Sequence, residues 1–406
     1  MKYTLRDYQQ QAADAAVAAF LSKKKRNGLL LLPTGAGKSL VIAEIASRLD
    51  GNVLVFQPSA EILAQNYAKL LSYGITDCSI YSASFNSKKI SRITFATIGS
   101  VKSCMEAFDK FRYVIVDEAH GCNAAGGMYR QFFDKADRKI VGLTATPYRL
   151  TSAQVSLNEE GLYDPDAVPQ NRCMLKFLTR TRPRIFHDVI YNVDVVHLLN
   201  KGYLAKLRYF DMSVLPQQGL KRNSTGMDWD DAALQEEMQR VKLKDYLVQI
   251  VERLLYPKSG IPRRGILVFT KFIQESQYLC SRVQGVEILT GQTPAKERGR
   301  IIERFKRGDI KVLTNVGVLT TGFDYPELDT VVMARPTMSL AMWYQIVGRI
   351  IRPHRSKEEG WVVDLCGNYR RFGRVEDLAL TLDHKGHYAV RGVVGNRMTQ
   401  LTNIYY

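Results

Sequence analysis

Long apolar runs are missing from this 406-residue chain: no stretch approaches the roughly 18 residues needed to span a bilayer. No apolar signal segment follows Met1-Lys2-Tyr3-Thr4-Leu5-Arg6-Asp7. A cytoplasmic, water-soluble protein is therefore expected. Cysteine is scarce, with six thiols at 78, 104, 122, 173, 280 and 366. No pair has Cys-x-x-Cys spacing and no histidines cluster with them, which argues against a zinc site and against a secreted disulfide framework. Free thiols in a reducing compartment are expected instead. Negative charge is also in short supply: 40 Asp and Glu face 57 Lys and Arg, a formal net charge of +17. Such an excess favours a polyanionic partner and says nothing about the fold. What is present is ordinary globular material, 46% hydrophobic and 24% charged. The length suits two to three domains.

Short apolar runs alternate with helical patterns. In the first part they are Gly28-Leu29-Leu30-Leu31-Leu32, Val53-Leu54-Val55-Phe56, Ile93-Thr94-Phe95-Ala96, Tyr113-Val114-Ile115-Val116 and Ile140-Val141-Gly142-Leu143. Unbroken apolar runs suit strands buried on both faces of a parallel sheet. Helical segments over residues 39–49 and 61–71 fall between them, the rhythm of a doubly wound α/β domain over residues 1–150. Residues 151–187 read as an irregular basic linker carrying Arg172, Lys176, Arg180, Arg182 and Arg184, a candidate accessory contact for a polyanion. The rhythm resumes in a second α/β domain over 188–370, with a charge- and Gln-rich insertion near 213–260 that turns helical after Trp229. Residues 371–406 show no period and read as a basic tail. Lys23-Lys24-Lys25-Arg26 reads as a solvated helix end.

The sharpest pattern is Pro33-Thr34-Gly35-Ala36-Gly37-Lys38-Ser39, set between an apolar run and a helix. Glycines let successive N–H groups converge on phosphate oxygens, and the helix N-terminus adds partial positive charge. Lys38 can reach β- and γ-phosphates and the Ser39 hydroxyl can ligate Mg²⁺. The full pattern wants glycine at position 32, where this chain has Leu32. A second apolar run ends in Asp117-Glu118-Ala119-His120. Asp117 is placed to hold the metal, and Glu118 to orient or deprotonate water for attack on the γ-phosphate. In Gln345-Ile346-Val347-Gly348-Arg349-Ile350-Ile351-Arg352-Pro353, Arg349 and Arg352 are spaced to share one helix face and to stabilise charge developing on a γ-phosphate.

Taken in order, these residues resemble a superfamily 2 helicase over about residues 3–370. The Gly-Lys-Ser loop resembles motif I, and Asp117 to His120 is the Asp-Glu-Ala-His form of motif II. Thr144-Ala145-Thr146-Pro147 resembles motif III, Thr320-Thr321-Gly322-Phe323-Asp324 motif V, and residues 345–352 motif VI. Leu5-Arg6-Asp7-Tyr8-Gln9 is similar to the adenine-reading element. Within the superfamily the chain is most similar to bacterial RadD-type repair helicases, on residues 143–149, Lys201-Gly202-Tyr203-Leu204, 318–326 and 345–353. The cysteine-rich zinc module that those carry after motif VI is not expected here, since residues 371–406 hold no cysteine.

The resemblance implies two tandem RecA-like domains with ATP in the cleft between them. ATP contacts would come from Arg6, Gln9, residues 33–39, Gly322 and Asp324. Gln345 would join Lys38, Asp117, Glu118, Arg349 and Arg352 in catalysis. His120, Thr144 and Thr146 would couple nucleotide state to strand grip. Ser59, Thr97, Thr270, Thr320 and Thr321 would contact nucleic-acid phosphates without reading sequence. DNA is the favoured strand, with repair, recombination or replication as the setting. A strand-annealing remodeller and the motor of a restriction or defence complex are the alternatives. A monomer working with a single-strand-binding protein or a nuclease is implied.

Overall fold

The computed structural model describes residues 4–156, 158, 164–217, 219–320 and 322–405. The chain forms two compact units: residues 1–149 with 176–194 and 382–388, and residues 150–175 with 195–381 and 389–406. No helix among the described residues is long and apolar enough to cross a membrane.

The first unit is built on strands β1 (Gly28–Leu31), β2 (Val53–Phe56), β3 (Cys78–Ser82), β4 (Ser87–Lys88), β5 (Ile93–Ala96), β6 (Tyr113–Val116) and β7 (Lys139–Thr144). Next in the chain come two longer strands that fall mostly in the second unit, β8 (Tyr148–Val155) and β9 (Gln170–Phe177), and then β10 (Asp188–Asn192), back in the first. The main sheet runs β10-β1-β7-β6-β2-β5-β3-β4. Its pairings are parallel apart from the β3–β4 edge. Every residue of β1, β2 and β5 is buried, which is why these segments are apolar without alternation.

Close approach, not turn geometry, demands glycine at two points of this sheet. A Cβ on Gly28 would lie 2.8 Å from the Ile190 side chain on β10. A Cβ on Gly142 would come within 2.6 Å of the Ala119 Cβ and 2.7 Å of the Phe186 ring. Gly142→Ala should therefore overpack the core and cost about 1–3 kcal/mol, read as a lower urea midpoint at unchanged m-value.

Strand β10 corrects the expected domain boundary. Residues 188–192 lie beside β1 in the first sheet, Gly28 opposite Asp188 and Leu31 opposite Asn192, so they do not open the second domain. The residues expected to be an irregular linker also contain order, because β8 and β9 pair in a two-stranded sheet.

The second unit holds β11 (Lys206–Asp211), β12 (Ile266–Thr270), β13 (Val286–Thr290), β14 (Val312–Val316), β15 (Thr330–Ala334) and β16 (Glu359–Asp364). They form a parallel sheet in the order β11-β16-β15-β12-β14-β13. The polar insertion is helical over Asp231–Arg240 and Leu243–Leu255. Leu234, Met238, Leu247, Ile250, Val251 and Leu254 pack with Ile266, Val268 and Val332 in one apolar cluster, so the insertion is part of this core.

The expected tail is a second correction. Strands β17 (Ala379–Leu382), β18 (Tyr388–Val394) and β19 (Arg397–Gln400) make a three-stranded sheet. Val394 pairs with Arg397, so only Gly395 and Asn396 turn the hairpin, both at positive φ (55° and 63°). That is the mirror-image turn whose twist matches the flanking strands.

Candidate ATPase site

A parallel sheet puts the carboxyl ends of its strands on one edge, where ligands of open α/β sheets collect. In the first unit that edge carries the segments after β1, β2, β5, β6 and β7. Backbone bonds align them. Leu32 N–H donates to the Thr144 carbonyl at 3.1 Å, Gln57 N–H to Ala96 at 2.9 Å and Asp117 N–H to Phe56 at 3.0 Å. Leu32 thus extends β1 as a fully buried residue. No left-handed backbone is required there, which is why the missing glycine is tolerated.

Bending begins one residue later. Ala36 N–H donates to the Pro33 carbonyl at 3.1 Å, half-buried Thr34 lies within that turn, and Gly35 and Gly37 have φ of 84° and 78°. Gly37 caps helix Lys38–Arg48, whose N-terminus has no side-chain cap; Ser39 lies in its first turn. Helix Asp7–Leu21 braces the loop. The Tyr8 hydroxyl donates to the Ala36 carbonyl at 2.8 Å and Gln9 Nε2 donates to the same oxygen at 2.9 Å. Gln9 Oε1 accepts from Arg6 N–H at 3.0 Å, and the Arg6 guanidinium reaches the Tyr8 hydroxyl at 3.4 Å. A Cβ on Gly37 would sit 2.5 Å from Gln9 Nε2 and displace that amide from the Ala36 carbonyl, while the positive φ itself favours glycine.

The acids meet this loop directly. Lys38 Nζ lies 2.7 Å from Glu118 Oε1. Glu118 has φ of 48°, a left-handed conformation that costs a side-chain-bearing residue about 1–2 kcal/mol. Strain of this kind persists where surrounding contacts fix it. Here they are Lys38 on one carboxylate oxygen and His120 Nδ1 3.3 Å from the other. The same His120 nitrogen lies 3.0 Å from Thr144 Oγ1 and 3.1 Å from Thr146 Oγ1. Thr146 N–H donates to Thr144 Oγ1 at 3.0 Å.

Asp117 is buried and held by Glu118 N–H at 2.9 Å and Asn66 Nδ2 at 3.0 Å. Burial, reinforced by the adjacent Glu118 carboxylate, pushes its carboxyl up to about 6. Burial works against the Glu118 carboxylate too, yet the Lys38 ammonium and then His120 overcome it and hold that carboxyl far below its usual range. The two adjacent acids are thus shifted in opposite directions, Asp117 up and Glu118 down.

Ser59 and Thr97 also stand on this edge. Both are used locally, Ser59 Oγ accepting from Ile62 N–H at 3.3 Å and Thr97 Oγ1 meeting Ser100 Oγ at 3.0 Å. Within the basic stretch, Arg180 pairs with Asp383 at 3.2 Å, while Arg182 and Arg184 are exposed.

In the second unit, Gln345 lies on helix Leu340–Val347, which ends before both arginines. Arg349 and Arg352 therefore do not share a helix face, contrary to their spacing. Gly348 weakens the helix, and Pro353 disfavours helical backbone at Arg352. The turn inserts Ile350 and Ile351 into the core, 0% and 1% exposed. Both arginines are instead held by consecutive residues of one loop. Arg349 Nη1 donates to the Phe323 carbonyl at 2.8 Å and its Nε to Gln345 at 3.1 Å, while Arg352 forms an ion pair with Asp324. Gly322 in that loop has φ of 75°.

Thr270 is a further correction. It is fully buried, with its hydroxyl 3.2 Å from the Phe272 carbonyl and 2.8 Å from Ser276 Oγ. Its hydroxyl is thus used inside the core of the unit rather than presented at the surface. Thr320 is half-buried, and Thr321 lies outside the described residues. Sequence reasoning missed Gln57 and Asn66, the latter bridging Asp117 and Gln57 Oε1 (2.9 Å). Their residue types carry no signal of their own.

Two family models match in tandem: "Type III restriction enzyme, res subunit" over residues 2–149 and "Helicase conserved C-terminal domain" over residues 246–354. The chain is similar to these two families over those residues. Relatives agree at low identity. The putative ATP-dependent helicase IRC3 of Saccharomyces cerevisiae is 24% identical, the match covering 89% of this chain and 51% of the relative. The DNA 3'-5' translocase XPB2 of Sulfurisphaera tokodaii is 25% identical, over 86% of this chain and 79% of its own. The chain thus spans about half the length of the yeast relative. Among solved structures, a putative HsdR subunit fragment of a type I restriction enzyme from Vibrio vulnificus superposes with a TM-score of 0.66 at 20% identity, covering 96% and 71% of the two chains. The DNA-bound type ISP restriction-modification enzyme LlaBIII gives 0.61 at 20% identity, covering 90% of this chain and 28% of that chain. These likenesses establish two RecA-like domains.

Proposed function

We propose that the chain is an ATP-dependent nucleic-acid helicase or translocase acting on DNA, with repair, recombination or replication as its setting and bacterial RadD-type helicases as its functional kin. The observation that carries the reading is the contact chain Lys38–Glu118–His120–Thr144/Thr146 along the carboxyl edge of the first sheet. It joins the phosphate-loop lysine, the candidate base and the two threonines without a gap.

Mg²⁺ fits the donor set, because Ser39 and Asp117 offer only hard oxygen ligands and a cation beside Asp117 would offset the burial, and the Glu118 repulsion, that raise its pKa. Among the described residues no group of three His, Cys, Asp or Glu forms a ready-made cage. That suits an ion completed by water and phosphate. When bound, it would neutralise charge on the β- and γ-phosphates. The chain's own part is to cradle the triphosphate with the 33–39 backbone and Lys38. The Glu118 carboxylate takes a proton from the attacking water. Arg349 and Arg352 supply positive charge to the γ-phosphate. When a triphosphate draws Lys38 away, Glu118 is released from its ion pair and becomes available as base. Hydroxyls of Ser59, Thr97, Thr320 and Thr321 are the proposed strand contacts, and a single-strand-binding protein or nuclease is the proposed partner of a monomeric motor.

ATP hydrolysis should be stimulated by single-stranded, duplex or forked DNA and should weaken steeply between two salt concentrations, as phosphate-dominated binding requires. Phosphate release measured with each DNA and with RNA checks this. Absence of stimulation by any of them overturns the reading. A second reading, the motor of a restriction complex, is favoured by the restriction-subunit model that matches residues 2–149. Co-purification with a nuclease or methyltransferase would support it.

A further inference from the structure

Lys357 lies in the turn between the arginine-bearing segment and β16, and only 8% of it is exposed. Its Nζ donates to three backbone carbonyls: Pro326 at 3.0 Å, Leu328 at 2.9 Å and Ile350 at 2.9 Å. An ammonium has three protons and no acceptor, so its capacity is fully used. The three oxygens come from two segments. Pro326 and Leu328 follow Phe323 and Asp324, the residues that hold the arginines. Ile350 lies between Arg349 and Arg352. The same two segments are therefore joined on the outside by two arginines and on the inside by one lysine.

The Ile350 turn is confined from other directions as well. Ala205 N–H donates to the Ile351 carbonyl at 2.7 Å. Gly360 on β16 packs so closely that a Cβ there would lie 2.9 Å from the Ile350 oxygen. Burial pulls the Lys357 ammonium down to about 8; Asp329 opposes this, while Arg352 and Arg263 add to it. An apolar side chain at this position would leave three buried carbonyls without a donor.

We propose that Lys357 is a positioning residue for ATP hydrolysis, fixing the Ile350 turn against the 326–328 segment so that Arg349 and Arg352 are held in register. The proposal rests on the reading of those arginines as γ-phosphate contacts. A group displaced by about 1 Å costs up to a hundredfold in rate. Lys357→Met in the full chain should therefore lower the nucleic-acid-stimulated kcat by about ten- to a hundredfold. KM for ATP and affinity for single-stranded DNA should stay within about twofold, because Lys357 is buried with its three protons on backbone carbonyls and is not itself placed against either ligand. Gly360→Ala, which pushes on the same carbonyl with Lys357 intact, should show the same loss of kcat at constant KM.

Steady-state phosphate release, fluorescence anisotropy of labelled DNA and thermal unfolding of each variant give the readouts. An unchanged kcat in folded Lys357→Met overturns the proposal. If that variant does not fold, an unchanged kcat in Gly360→Ala does so. An equal loss of kcat and ATP affinity also counts against it. Arg349→Ala serves as the control. If that variant retains full kcat, the parent reading fails; if it loses kcat while the Lys357 and Gly360 variants do not, only the present inference falls.

Discussion

Glu118→Gln should reduce nucleic-acid-stimulated ATP hydrolysis by about 10²–10⁴-fold, the usual contribution of a positioned general base. Strand binding should be left largely intact. The substitution keeps shape and volume, and β6 itself ends at Val116, before the substituted residue. The charge matters in the contacts. One Glu118 oxygen faces Lys38 and the other His120. An amide presents one acceptor and one donor, so it cannot receive from both. It also cannot take a proton from water. Lys38→Ala should be at least as damaging to hydrolysis by a different route, since it removes the cation meant for the β- and γ-phosphates. The two variants separate in nucleotide binding, where Glu118→Gln retains ATP and Lys38→Ala loses it. Phosphate release and equilibrium binding of a labelled nucleotide make the test, and full stimulated hydrolysis in either variant refutes the assignment.

Arg349→Ala should lower kcat by about 10³-fold or more, the range in which arginines that meet a γ-phosphate contribute. Arg349→Lys should recover little. The native guanidinium uses Nε for the Gln345 carbonyl and Nη1 for the Phe323 carbonyl, and an ammonium on a flexible stem does not reproduce that fork. Part of the loss would come from the loop, since residue 323 is a neighbour the arginine holds. Asp324→Asn separates the contributions: it weakens the Arg352 ion pair while leaving both guanidinium groups in place. A loss in Asp324→Asn much smaller than in either arginine variant points to direct action on phosphate. Equal losses point to loop support. Wild-type kcat in Arg349→Ala would remove the residue from the catalytic set.

Much of the first sheet was legible because burial on both faces writes itself as unbroken apolar residues. β1, β2, β5, β6 and β7 all stand where such runs occur. β10 was legible as a strand but not as a partner. Its sequence, Asp188-Val189-Ile190-Tyr191-Asn192, follows the basic stretch, while its place beside β1 is a pairing across 160 residues. Chain order alone assigns it to the wrong unit. The last hairpin did carry a local signal, Gly395-Asn396 between β-branched and polar residues, a pattern that Arg391 and Arg397 disguised as a basic tail. The phosphate loop and the acid pair were legible because their chemistry requires fixed residue types at fixed spacing. The arginine pair was legible as chemistry but not as geometry, since i, i+3 spacing places two residues on one face only while the helix lasts, and it stops at Val347. Asn66 and Lys357 were illegible for a common reason. Each acts through partners distant in sequence, 51 residues for Asn66 to Asp117 and 31 for Lys357 to Pro326. An isolated Asn or Lys has no pattern.

The His120 imidazole has one more consequence. At any instant Nδ1 carries either a single proton or a single lone pair, yet three oxygens lie within 3.3 Å of it: Glu118 Oε2, Thr144 Oγ1 and Thr146 Oγ1. Demand at that atom exceeds supply, so the bond is divisible and transferable. A small shift of the 144–146 segment away from the ring would hand the nitrogen to the carboxylate, and a small shift of the carboxylate would hand it back. An oversubscribed atom of this kind lets two moving parts compete for one bond, so that what one part gains the other gives up without any long-range displacement.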